Sequence, residues 1–127
     1  MADRAEPLLD HILQAGICSM EDIEGSSKLL RTFEDPVRSG EIRTAEKKMK
    51  ALSDATRLRI FLLILRGEKC VCEIEYLFKM PQSTVSRNLG ILENSGLIRK
   101  RKNGKWTYYS INDSNFGDFI KRTCGVE

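Results

Sequence analysis

Gln82-Ser-Thr-Val-Ser-Arg-Asn-Leu-Gly-Ile-Leu-Glu-Asn94, then Leu97-Ile-Arg-Lys-Arg-Lys102, Asn103-Gly104 and Lys105-Trp-Thr-Tyr-Tyr-Ser-Ile111, decide how this 127-residue chain folds. Val85, Leu89 and Leu92 recur at helical spacing and predict a helix over about 82–94 with those three facing inward. Pro81 precedes it and Gly96 lies at its C-terminal end. Ser83, Thr84, Ser86, Arg87 and Asn88 fall on its other faces. The two runs that follow are strand-like. Asn-Gly between such runs predicts a hairpin with a type I′ turn, which needs positive φ at both central positions.

The flanking sequence is helical. Val71 to Phe78 predicts a short helix, and Pro81 separates it from the next. Asp54 reads as the N-cap of a helix from Ala55 to Arg66, stopped by Gly67, with Leu58, Phe61, Leu62 and Leu65 as its core stripe. Ile42, Ala45, Met49 and Leu52 make one stripe of a helix over 41–52. Ser114 to Thr123 predicts a closing helix carrying Phe116, Phe119 and Ile120. The expected class is mainly α with a small β-hairpin. Residues 1–40 hold Pro7, Pro36 and the soft stretch Glu24-Gly-Ser-Ser27, with apolar clusters at Leu8, Leu9, Ile12, Leu13 and at Leu29, Leu30, Phe33. They predict one or two short helices and a loop. The organisation is then an N-terminal acidic extension (1–40), one domain (41–123) and a short tail (124–127).

The net charge of +3 conceals an uneven distribution. Residues 1–40 carry 8 acidic and 4 basic side chains, whereas residues 79–105 carry 7 basic and 1 acidic. A concentrated positive segment is the usual footprint of an anionic partner. The helix over 82–94 suits the DNA major groove, roughly 12 Å wide. There Arg87 can read guanine, Asn88 or Gln82 can read adenine, and Ser83, Thr84 and Ser86 can reach bases or phosphates. Arg99, Lys100, Arg101, Lys102 and Lys105 of the hairpin fit phosphates or the minor groove. A short helix, a tight turn, a second helix and a basic hairpin describe a winged helix-turn-helix that contacts DNA. Lys and Arg on an exposed hairpin also guard a sheet edge against aggregation, but that alone leaves the polar helix beside it unexplained. Trp106, Tyr108 and Tyr109 are expected to pack the hairpin on the core for most of their area.

Five segments in order extend this reading: Leu52-Ser-Asp-Ala-Thr-Arg-Leu-Arg-Ile60, Glu68-Lys-Cys-Val-Cys-Glu-Ile74, Gln82-Ser-Thr-Val-Ser-Arg-Asn-Leu89, Gly96-Leu-Ile-Arg99 and Gly104-Lys-Trp-Thr-Tyr-Tyr-Ser110. Over about residues 42–122 the chain closely resembles the ArsR/SmtB family of prokaryotic metal-responsive repressors. The resemblance implies a homodimer of winged helices, with the first and last helices of the domain at the dimer interface. It implies repression of operator DNA without inducer and release when inducer binds, with a palindromic operator matching the two-fold axis. Two departures stand out. Asn88 lies where many members carry His, and the acidic extension is longer than is usual.

The family's Cys-Val-Cys corresponds to Cys70-Val71-Cys72 and implies a site for arsenite, antimonite or a soft divalent ion such as cadmium or lead. Thiolates select such soft ions over magnesium or calcium, and Lys69 and the start of a helix favour the thiolate forms. Residues i and i+2 lie about 200° apart on a regular helix, so both sulfurs meet one ion only if the first turn is irregular or unwinds. Unwinding of the helix beside the recognition helix would then be the switch. Arsenic-sensing relatives often carry a third Cys where this chain has Glu75. Cys18 is the leading candidate for a further ligand, Cys124 the second, and a two-thiolate site a third possibility. Family zinc sites on the last helix use Asp and His. Here Asp113 and Asn115 occupy the region without a His, and the only histidine, His11, lies far upstream, so no such site is expected.

Alternatives keep the fold and change its use: a repressor that senses redox state by oxidising Cys70 and Cys72, or a protein-interaction adaptor that does not use DNA. One His and no glycine-rich phosphate loop offer no pieces for an enzyme, and none is expected. No obligatory cofactor is expected. The longest apolar run, Ile60 to Leu65, is far short of the roughly 20 residues of a membrane helix. With no export leader the expected location is the cytoplasm, where thiols stay reduced.

Overall fold

The computed structural model describes residues 2–126. They divide into two compact units, one through Ile42 and one from Arg43 onward. The first unit contains α1 (Ala2–Gln14) and α2 (Met20–Glu34). It is more helical than the one or two short helices expected there. Ser19 sets the start of α2: its hydroxyl accepts from the Asp22 N–H, and the Asp22 carboxylate accepts from the Ser19 N–H. No residue of α2 is buried, and Leu29, Leu30 and Phe33 remain exposed.

α3 (Pro36–Ala51) begins at Pro36 rather than near Glu41. Proline suits the first helical position, where an N–H would have no intrahelical acceptor, and the Asp35 carboxylate accepts from the N–H groups of Val37 and Arg38. The division between the two units falls within this helix.

The second unit holds the core. α4 (Ala55–Ile64) starts where Asp54 accepts from the Arg57 N–H, as its N-cap position predicts. Arg57 Nε donates to the Ala51 carbonyl at 2.7 Å and fastens the end of α3 to α4. Ile60, Phe61 and Ile64 are the buried residues of α4, with Leu58 and Leu65 packed at the margin of the core. The expected stripe of Leu58, Phe61, Leu62 and Leu65 was therefore too narrow. α4 is apolar on most sides and touches both α6 and the sheet, so periodicity selects no single face.

Gly67, at φ +148, ends this segment. Next comes an element the sequence did not announce, the two-residue strand β1 (Lys69–Cys70). α5 (Val71–Phe78), α6 (Gln82–Asn94), β2 (Ile98–Asn103), β3 (Trp106–Ile111) and α7 (Ser114–Cys124) complete the unit. The sheet is antiparallel in the order β1-β3-β2. Ile74, Val85, Leu89, Leu92, Leu97, Ile98 and Tyr109 join the α4 residues in one buried cluster. Helices α4 to α6 with the β2–β3 hairpin form a winged helix-turn-helix.

The hairpin turn differs from the expected one. Asn103 pairs with Trp106, so the two loop residues are Gly104 and Lys105. Gly104 has φ +62, and the only non-glycine residue with positive φ among those described is Lys79. Positive φ at the first loop position alone is the type II′ pattern, not type I′.

Asp113 caps α7 by accepting from the Phe116 N–H and pairs with Lys48 of α3. The Lys48 ammonium holds the Asp113 carboxyl below the usual carboxylate range. Phe116 and Ile120 of α7 pack on the core, while Phe119 of α7 and Met49 of α3 stay exposed. Gly117 is buried because α7 approaches α4 closely. A Cβ there would stand 2.5 Å from a terminal methyl of Leu65. Gly117→Val should therefore cost about 1–3 kcal/mol by overpacking. Urea unfolding would show this as a lower midpoint with an unchanged slope, and an unchanged midpoint would contradict the packing described.

Candidate nucleic-acid interface and thiol pair

The turn between α5 and α6 fixes how α6 is presented. Lys79 takes the left-handed conformation, φ 52 and ψ 47, and its N–H returns to the Glu75 carbonyl. Pro81 then starts α6, its carbonyl accepting from the N–H groups of Thr84 and Val85. Burying Val85, Leu89 and Leu92 turns the opposite side of α6 outward. Gln82, Ser83, Ser86 and Arg87 are exposed there, and Thr84 is half-buried.

Asn88, expected to read a base, lies on the buried side of α6. It is 5% exposed, and its amide donates to the Thr84 carbonyl at 3.0 Å. It follows Val85 by three residues and precedes Leu92 by four, so it shares the buried face.

All of β2 beyond Ile98 is exposed. The hairpin cations differ in what they touch. Arg99 Nε donates to Ser110 Oγ at 3.4 Å, and Lys100 Nζ lies 3.9 Å from a Glu93 oxygen. Lys102 is exposed, and Lys105 at the tip lies over the Trp106 ring. Arg101 is engaged instead. Its guanidinium makes two hydrogen bonds to Glu68, at 2.6 and 2.8 Å, and lies 4.7 Å from the centre of the Tyr108 ring. Arg101, expected to face a phosphate, is paired with Glu68 in this structure. The same contact holds the Glu68 carboxyl below the usual carboxylate range.

The aromatic residues divide similarly. Tyr109 is buried in the core, and burial raises its hydroxyl pKa. Tyr108 lies beneath Arg101, while Trp106 is 47% exposed at the tip, which departs from the expected packing.

Cys70 and Cys72 come together, although not as two residues of one helix. Cys70 is the last residue of β1 and the N-cap of α5, extended at φ −75 and ψ 146. Cys72 lies in the first helical turn. Their Cα atoms are 5.3 Å apart and the sulfurs are paired as a disulfide. The angular objection for two helical residues disappears because only one of them is helical, and no unwinding is needed to bring the sulfurs together. Cys70 is half-buried and Cys72 exposed. Cys72, Glu75, Tyr76, Lys79 and Met80 line one open cleft.

Cys18 and Cys124 are both exposed free thiols. Cys18 belongs to the first unit and Cys124 ends α7 in the second. Among the described residues no group of three or more His, Cys, Asp and Glu side chains is arranged to hold a metal ion. Sequence reasoning missed Glu68. Its only signal was that it stands just before the Cys-Val-Cys segment.

Residues 54–100 match the family described as "Bacterial regulatory protein, arsR family". The arsenical resistance operon repressor of Bacillus subtilis is 42% identical over 87 residues, which is 68% of this chain and 83% of that protein. The chain belongs to the arsR family.

A cadmium resistance transcriptional regulatory protein CadC homolog of Staphylococcus aureus is 39% identical over 77 residues, 60% of this chain and 64% of that protein. Among solved structures, the homodimeric winged helix-turn-helix DNA-binding domain of Mb0332 from Mycobacterium bovis aligns with TM-score 0.65 and 28% identity. It covers 70% of this chain and 82% of that one. HlyU from Vibrio cholerae aligns with TM-score 0.62 and 25% identity, over 65% and 90%. The arsR match spans the helix-turn-helix, the thiol pair and the start of the wing, while Cys18 and Cys124 lie outside it.

One replacement separates structure from recognition at α6. Asn88→Ala removes a buried hydrogen bond and should cost about 0.5–1.5 kcal/mol, measurable by chemical unfolding. A stability unchanged from the parent protein would return Asn88 to the surface.

Proposed function

We propose that this arsR-family chain is a DNA-binding transcriptional repressor that acts as a homodimer and leaves its operator when a thiophilic ion binds Cys70 and Cys72. One observation carries the proposal. The thiol pair lies at the junction of β1 and α5, and that junction adjoins both DNA-reading elements. α5 packs on α6, and β1 pairs with β3 of the wing. The names of the Bacillus and Staphylococcus relatives support an arsenical or cadmium inducer.

On DNA, Gln82, Ser83, Ser86 and Arg87 would enter the major groove, with Thr84 at the edge of the contact. Arg99, Lys100, Lys102 and Lys105 would reach the phosphates beside it. Exposed Met49 and Phe119, on the helices the family resemblance assigns to the interface, suit burial against a second copy. An isologous dimer would present two α6 helices to a palindromic operator.

For sensing, Cys70 and Cys72 in their reduced form would hold the ion; with arsenite, two As–S bonds would replace two As–O bonds and the thiol protons would leave with the displaced hydroxides as water. Their second-turn neighbour Glu75 supplies no thiolate, so the ion receives two sulfurs from this segment. A further thiolate would come from Cys18, of this or the partner subunit, or second from Cys124; without either, the two thiolates hold the ion alone. No helix of the described residues is long and apolar enough to cross a membrane.

A second reading uses the same residues. The sulfur pairing supports closure of Cys70 and Cys72 into a disulfide, with two protons and two electrons passing to a cellular oxidant. Ion binding and disulfide formation would then exclude each other.

Operator DNA selected from a random library provides the test. Arg87→Ala, and the pair Lys100→Gln with Lys102→Gln, should each weaken binding at least tenfold. The lysine pair should also lower the salt slope, by about 0.9 for each phosphate no longer neutralised. Arsenite or cadmium should release the reduced parent protein and leave Cys70→Ser and Cys72→Ser variants bound. Release of the serine variants by the ion would refute the sensing site. Release by peroxide alone would favour the redox reading.

A further inference from the structure

One rung of the sheet crosses all three strands. Cys70 of β1 is opposite Tyr108 of β3, and Tyr108 is opposite Arg101 of β2. Directly opposed residues in antiparallel strands place their side chains on the same face. The Arg101 guanidinium accordingly lies over the Tyr108 ring. It continues across to Glu68, two residues before Cys70 in the chain, and makes two hydrogen bonds to its carboxylate. A bidentate guanidinium–carboxylate pair fixes orientation as well as distance. Glu68 and Arg101 are 33 residues apart in sequence, so this pair ties the approach to the thiol site directly to the wing.

We infer that the Glu68–Arg101 pair is the positioning tie that transmits occupation of the thiol pair to the wing. The inference rests on Cys70 and Cys72 being the ion site. With the tie in place, a shift of Cys70 on ligation carries Glu68, and Glu68 carries Arg101 and the wing strand. The pair also neutralises the third cation of Arg99-Lys-Arg-Lys102 while the wing is held. Breaking the tie uncouples sensing from DNA release without touching either the sulfurs or α6.

Opposite replacements make the role testable. Glu68→Gln removes the tie and frees the Arg101 charge. Arg101→Gln removes both tie and charge. Full-length reduced protein would be assayed in two ways: operator affinity over a salt series with and without arsenite, and arsenite binding to the thiolates by ultraviolet absorbance.

Both variants should bind arsenite as the parent does, yet the arsenite-induced loss of operator affinity should shrink at least fivefold in each. Glu68→Gln should steepen the salt slope by up to about 0.9, because Arg101 becomes available to a phosphate, and Arg101→Gln should not. The double variant should show no further loss of coupling. Release undiminished in either single variant, with arsenite bound normally, would overturn the tie alone. Failure of the parent protein to bind arsenite or to leave DNA would overturn the ion-site reading, and the tie with it.

Discussion

Two rungs of backbone pairing, Lys69 with Tyr109 and Cys70 with Tyr108, organise the functional half of this molecule. They make Cys70 a strand residue while Cys72 is helical, which is why the sulfurs meet. They also attach the chemistry of the thiols to the hairpin. Without β1, the Cys-Val-Cys segment would be only the start of a helix, and its influence on DNA would pass through α5 and α6 alone. With it, two mechanical connections leave the same site. One runs along α5 into the turn at Lys79, and the other runs across the sheet through Tyr108 to Arg101.

The charge exposed on α6 and the wing is correspondingly more selective than its composition. Five cations crowd the hairpin, but Arg101 is held by Glu68, and Lys100 lies near Glu93. Phosphate contacts supply affinity by displacing counterions, whereas groove contacts supply sequence preference. The division of labour is therefore between an exposed polar side of α6 and a wing whose free charge is limited by the sheet beneath it. That limit gives an inducible repressor something to adjust.

Much of this was legible in the sequence because it rests on strong local signals. Val85, Leu89 and Leu92 place α6, Asp54 caps α4, and Asn103-Gly104 between two strand-like runs marks the hairpin. What escaped was decided by tertiary contacts. A strand of two residues has no periodicity to detect, and β1 exists only because β3 lies beside it. Asn88 looked like a base reader by residue type, but its position between Val85 and Leu92 places it inside. Asn103-Gly104 signalled the hairpin correctly, yet the register moved the turn forward to Gly104-Lys105. The α4 stripe failed because a helix packed on more than one side has no single apolar face. Glu68 and Arg101 could not be paired by any local rule, being 33 residues apart and brought together by the sheet.

Ion occupation at Cys70 and Cys72 would be felt in the strands that carry the wing. Amide hydrogen exchange on the reduced protein, with and without arsenite, tests it most directly. Altered protection is expected at Lys69, Cys70, Tyr108 and Tyr109, extending to Arg101 on β2, while Leu89 inside α6 keeps its protection. Saturation of the thiols with arsenite and unchanged exchange across β1 and β3 would contradict it.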